Sequence, residues 1–212
     1  RAILARYREL RPNQGNPRIV INSLDVNKGI AMLDAGRLDD LANYLAAGLR
    51  SLERAGADFA FMAANTPHLV FDELQGRSKI PLLSIVRAAT EHASSLGVKK
   101  LGLFGTGFTM RADFYSEGFG RAGIAMVRPK QAEQEFIHSK YIGELLNNQF
   151  LPETRTEIMR IARRMHEEDA VEALVLAGTE LPLLLRDGGN QDLPFLDTTL
   201  IHVEAIVKEL VD

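Results

Sequence analysis

A chain of 212 residues with 46% hydrophobic and 25% charged residues holds enough apolar material for a real core and excludes a disordered reading. The formal net charge of -3 argues against sequence-independent nucleic-acid binding, and the lack of cysteine excludes disulfides, thiolate metal sites and thiol nucleophiles together. No apolar run approaches the roughly 20 residues that span a bilayer, and no signal-peptide pattern opens the chain, so the expectation is a cytoplasmic protein with a small-molecule partner.

Residues 1–10 read as a helix already under way, with Ile3, Leu4, Tyr7 and Leu10 on one stripe. Because α/β domains commonly open with a buried strand, a leading strand is expected to be missing. Short β-rich runs then alternate with longer amphipathic ones. Strands are expected at 18–24, 58–63, 81–85, 100–105, 125–128, 173–177 and 194–197. Helices are expected at 37–55, where Leu38, Leu41, Leu45, Leu49 and Leu52 recur at helical spacing before a stop at Gly56, and at 85–96, 111–122, 133–148, 153–168 and 199–211. This order predicts a doubly wound α/β fold of two similar lobes, each a parallel sheet flanked by helices. Residues 1–86 with 198–212 form the first lobe and 87–197 the second.

Two strand ends resemble each other, Ala63-Ala64-Asn65-Thr66-Pro67-His68 and Ala177-Gly178-Thr179-Glu180-Leu181-Pro182. Each is an apolar run that stops in small and hydroxyl residues, and so delivers polar groups to one edge of a buried parallel sheet. Asn65 and Thr66 are candidate ligand donors ahead of a helix that Pro67 can begin, and capping is the ordinary alternative. His68 is a candidate proton carrier, although a packed or solvent-facing histidine is commoner in a first helical turn. Thr179 and Glu180 stand at the matching position, where Glu180 can orient a donor, bind an ammonium group or act as a base. A helix-starting glutamate is also a routine choice. Gly105-Thr106-Gly107-Phe108-Thr109 follows a third strand and is a candidate anion cradle through its amides and hydroxyls, or else a turn with Thr109 as cap. It lacks the ending of a P-loop, which favours a small carboxylate over a nucleotide. Ser23 and Asp25 end the first strand as ligand candidates or turn formers. Lys140 is a candidate positive charge for a carboxylate, or a surface lysine. His92, His166 and His202 have no zinc spacing, so no metal is expected. Arg160, Arg163 and Arg164 read as a solvated helix face, and 187–190 as a surface turn.

At these residues the chain resembles the aspartate/glutamate racemase family. Ala64-Asn65-Thr66-Pro67-His68 is similar to that family's Cys-Asn-Thr-x-His, and Gly178-Thr179-Glu180-Leu181-Pro182 to its Cys-Thr-Glu-Leu-Pro. Ser23-Leu24-Asp25, Leu103-Phe104-Gly105-Thr106 and Asp197-Thr198-Thr199 resemble its other strand ends. The resemblance implies a cofactor-independent isomerase that moves a proton between opposite faces of the α-carbon of aspartate, glutamate or a similar small carboxylate, in a cleft between the lobes of a homodimer's subunits. It also implies two catalytic thiols, whose positions here are Ala64 and Gly178. The two-thiol mechanism is therefore impossible, and proton transfer falls to Thr66, His68, Thr179 or Glu180, with Ser23, Asp25, Asn65, Thr66, Thr106, Thr109, Lys140 and Thr179 binding substrate. A carboxylate-binding or regulatory module without turnover, and a diacid decarboxylase or isomerase of the same superfamily, are the alternatives.

Overall fold

The computed structural model describes residues 1–185 and 192–211, so the turn expected at 187–190 lies outside the described residues. The chain forms two compact α/β units, one of Arg1–Ala63, Pro67–Ser84 and Val203–Asp212, the other of Ala64–Thr66 and Ile85–His202.

The first unit opens with α1 (Ala2–Leu10), whose Tyr7 packs on Val203 and Val207. Helix α2 (Val26–Asp34) starts at Asp25, whose carboxylate accepts the Asn27 and Lys28 amides, an N-cap that offsets two of the unpaired donors of a first turn. Helix α3 (Leu38–Arg54) buries Leu41, Ala42, Ala46 and Leu49 along one stripe and stops where Gly56 takes φ 78°, a left-handed turn that glycine adopts without strain. Strand β1 (Ala60–Phe61) pairs in parallel with β2 (Leu82–Leu83). A 3-10 turn (Thr66–Val70) and α4 (Phe71–Arg77) connect them. Val70 and Leu74 close a small core against Met32, Leu41 and Ala46.

In the second unit, α5 (Ile85–Leu96) leads into β3 (Lys100–Gly105), and α6 (Gly107–Arg111) and α7 (Phe114–Arg121) lead to β4 (Ala125–Val127). Helix α8 (Gln131–Gly143), a 3-10 turn and α9 (Pro152–Asp169) precede β5 (Ala173–Ala177), α10 (Leu181–Leu185), β6 (Phe195–Asp197) and the start of α11 (Thr198–Val211), whose residues from Val203 on belong to the first unit. The four strands are all parallel in the order β4-β3-β5-β6. Helices cover both faces, which is why β3 and β5 read as unbroken apolar runs and every residue of β5 is buried. From β3 the chain steps to β4 on one side and then crosses to β5 on the other. The order thus reverses between β3 and β5, where their carboxyl ends leave a crevice.

Several expectations need correction. Residues 18–24 form no strand: the segment has no ladder partner among the described residues and leaves Ile21 84% exposed. It leans instead on α3, where Asn22 Nδ2 donates to the Gly48 carbonyl at 3.0 Å. A strand is made by its neighbour, and a β-rich composition cannot supply one. The helix expected at 111–122 is two, because Ala112 is extended (ψ 158°) and ends α6. The helix expected at 133–148 gives way after Gly143 to a 3-10 turn closed by Asn148 at φ 58°. Arg164 leaves the solvated face expected of it, since its side chain is 10% exposed and pairs with both oxygens of Glu133 and with Asp169. Helix α2 was not anticipated from the sequence, and the helix that Pro67 can begin is a 3-10 turn followed by α4.

Candidate active site

Parallel pairing puts Gly105 of β3 opposite Ala177 of β5. The residues that follow, Thr106 on one strand and Gly178, Thr179 and Glu180 on the other, therefore emerge side by side at the reversal point of the sheet. Adjacent strands lie about 4.8 Å apart, within reach of one small ligand. Gly105 is needed for this closeness, because a Cβ there would stand 2.9 Å from the Ala177 carbonyl oxygen.

The first group is a ring of three threonine hydroxyls. Thr66 Oγ1 lies 3.1 Å from both Thr106 Oγ1 and Thr109 Oγ1, and these two are 3.2 Å apart. Three rotatable protons shared by three oxygens can reorient toward an arriving carboxylate. Two of the loop amides are already engaged: Thr106, not Thr109, is the cap of α6, its hydroxyl accepting from Thr109 N–H at 3.2 Å. Gly107 N–H donates to His138 Nδ1 at 3.0 Å, which places the proton of the neutral imidazole on Nε2. Hydroxyls, more than backbone donors, are what this loop offers.

The second group surrounds Glu180. Its Oε2 accepts the Thr179 hydroxyl at 2.7 Å and also the Tyr141 hydroxyl, delivered from α8. Burial, and then the negative charge of Glu180, push the Tyr141 phenol well above the ordinary tyrosine range. Tyr141 is therefore a neutral donor. The third group is a buried chain in which Tyr115 donates to Asn65 Oδ1 at 2.5 Å, Asn65 Nδ2 to Thr198 Oγ1 at 3.2 Å, and Thr198 to the Leu176 carbonyl at 2.8 Å.

Of the candidate residues, Asn65, Thr66, Thr106, Thr109, Lys140, Thr179 and Glu180 fall in this unit. Thr66, Thr106 and Thr109 come together, as do Thr179 and Glu180. Asn65 is buried in its structural chain. Lys140 forms an ion pair with Glu144, whose carboxyl is held below the usual range by that lysine and by Thr154. Ser23, Asp25 and His68 belong to the first unit: Ser23 is exposed, Asp25 caps α2, and His68 is buried and stacked on Phe71 with ring centroids 5.2 Å apart. Sequence reasoning missed Tyr115, Tyr141 and His138. Neither tyrosine lies at the end of an apolar strand run, and only packing reveals their hydroxyl partners.

The comparisons with known proteins agree with this architecture. The chain is 23% identical over 176 residues to the broad specificity amino-acid racemase RacX of Bacillus subtilis (strain 168), covering 80% of this chain and 72% of that protein. The crystal structure of an Asp/Glu racemase candidate from Yersinia pestis superposes with a TM-score of 0.88 at 26% identity, over 100% of this chain and 91% of that one. An aspartate racemase homologue from Pyrococcus horikoshii OT3 gives 0.78 at 30% identity, over 100% and 93%. The Asp/Glu/Hydantoin racemase model matches residues 1–206, and with the sheet order and strand-end residues described above this places the chain in the Asp/Glu/Hydantoin racemase family.

Proposed function

We propose that the protein is a cofactor-independent, racemase-type isomerase of aspartate, glutamate or a similar small carboxylate, acting as a cytoplasmic homodimer. Substrate is held at the carboxyl edge of the β3–β5 pair, and Glu180 exchanges the α-proton. The observation that carries this reading is the position of Glu180 at the sheet reversal, one strand from the three threonine hydroxyls. Hydroxyls suit a substrate carboxylate as donors but are too weakly basic to take an α-proton, so Thr66, Thr106, Thr109 and Thr179 orient and Glu180 transfers. His68 is the second proton carrier in this proposal, on the residue pattern alone.

Incubation with L-aspartate or L-glutamate in deuterated water tests it. Deuterium is expected at the α-carbon, together with the mirror-image amino acid. Glu180→Gln is expected to slow exchange by about a hundredfold or more, the ordinary contribution of a positioned base. Exchange that is unchanged in Glu180→Gln removes this residue from the mechanism.

A second reading is favoured by Ala64 and Gly178, which carry no exchangeable side-chain proton at the two positions where the family resemblance implies thiols. In it the cradle binds the acid without turnover. Calorimetric binding of glutamate with no deuterium incorporation supports that reading against the first.

A further inference from the structure

Gly178 is surrounded by another residue's side chain. A Cβ built on it would lie 2.5 Å from the Tyr141 hydroxyl oxygen and 2.6 Å from Tyr141 Cε2, closer than such atoms are found. The constraint is not conformational, since Gly178 is not among the glycines with positive φ. Nor can Tyr141 move aside at no cost. It is 4% exposed, belongs to the main core, and its hydroxyl is bonded to Glu180.

We propose that Tyr141 is the positioning residue of this site: its phenol occupies the space into which a side chain at position 178 would project, and from there it fixes the carboxylate of Glu180. Gly178 and Tyr141 are thus one unit, each requiring the other. A hydroxyl carried on α8 replaces whatever residue 178 would otherwise present at the end of β5. Tyr141 directs its phenol proton at Oε2, the same oxygen that accepts from Thr179, so both donors hold one oxygen of Glu180. The steric half of this inference stands on geometry alone, and only the effect on turnover rests on the proposed isomerase reading.

The test is a double-mutant cycle on the full chain. Gly178→Ala is expected to lower the thermal midpoint by several degrees in the wild-type background and to have little effect in the Tyr141→Ala background, where the added methyl has room. An equal loss in both backgrounds, or failure to fold in both, overturns the proposal. Because the chain has no cysteine, Gly178→Cys supplies a single thiol. It is expected to react with a disulfide reagent about tenfold faster when combined with Tyr141→Ala than with Tyr141→Phe, which keeps the ring. Equal reactivity counts against the inference. For turnover, Tyr141→Phe retains the packing and loses only the bond to Glu180. Deuterium exchange is expected to fall in kcat with KM little changed, and combining it with Glu180→Gln is expected to add nothing further. Wild-type exchange in Tyr141→Phe overturns the positioning role. Absence of exchange in the wild type instead removes the isomerase reading, and the stability cycle still decides the steric claim.

Discussion

At the scale of single residues, the buried hydroxyls of the second unit carry the sharpest consequences. Tyr115 is fully buried and gives its proton to Asn65, which is itself tied to Thr198. Tyr115→Phe leaves a buried amide oxygen with only the weaker Thr198 contact at 3.3 Å, and is expected to cost about 1–2 kcal/mol, read as a lower urea midpoint at unchanged m. Asn65→Ala strands the Tyr115 hydroxyl and takes one donor from Thr198, which keeps its bond to the Leu176 carbonyl, and should cost more. A midpoint equal to wild type would show that the chain of bonds is dispensable. The same burial has a pH signature. Desolvation raises Tyr115 above its ordinary value of 10.0, with the Thr198 hydroxyl opposing, and burial and Glu180 raise Tyr141. Below pH 10 folded and unfolded chains both keep these protons. As pH rises past the unfolded value, the unfolded chain releases protons that the folded chain retains, so the stability linked to them is progressively lost. The expected alkaline slope is about 1.4 kcal/mol per pH unit for each tyrosine, and Tyr115→Phe should reduce it by one such share. Urea titrations at several pH values above 10 measure it, and an unchanged slope would contradict the burial assigned to Tyr115.

At the scale of elements, helix ends show where local chemistry is suboptimal. Helix α9 stops at Ala170, which sits at φ 53° and donates to the Met165 carbonyl. An alanine in this conformation bears a Cβ clash that glycine avoids, so Ala170→Gly is expected to stabilise the protein by about 1 kcal/mol in urea unfolding. A loss of stability would mean that the Ala170 methyl contributes more by packing than its backbone costs. Elements such as β3 and β5 were legible because burial on both faces writes an unbroken apolar run, and Leu41 with Leu49 marked α3 by spacing alone. Residues 18–24 also carry an apolar run, Ile19-Val20-Ile21, yet pairing depends on which backbone runs alongside, and no local pattern encodes that. The site divides in the same way. Thr106, Thr179 and Glu180 were readable as polar ends of apolar strands. Tyr141 was not, because its meaning depends on α8 packing over Gly178, a contact between residues far apart in the chain. Asn65 and Asp25 have residue types that suit ligands, and in the structure Asn65 is bonded to Tyr115 and Thr198 while Asp25 caps α2.

At the scale of the whole molecule, the two units differ in how much backbone they tie into sheet and how much apolar surface they bury. The second has a four-stranded parallel ladder and a continuous core reaching from Ile85 through Leu196, whereas the first holds a pair of two-residue strands and two small clusters. Protection against hydrogen exchange follows the stability of the opening that exposes an amide, not hydrogen bonding alone, so central ladder strands can exchange only with the largest openings. Amides of β3 and β5 are therefore expected to be the slowest in the molecule. Those of β1 and β2 should exchange faster, since two residues of ladder open with few neighbours, and residues 18–24, with no ladder partner among the described residues, should be among the first to exchange. Hydrogen-exchange mass spectrometry on the full chain resolves these segments. If residues 18–24 were as protected as β3, a backbone partner would have to pair with them, in place of the lean against α3 through Asn22 and Gly48.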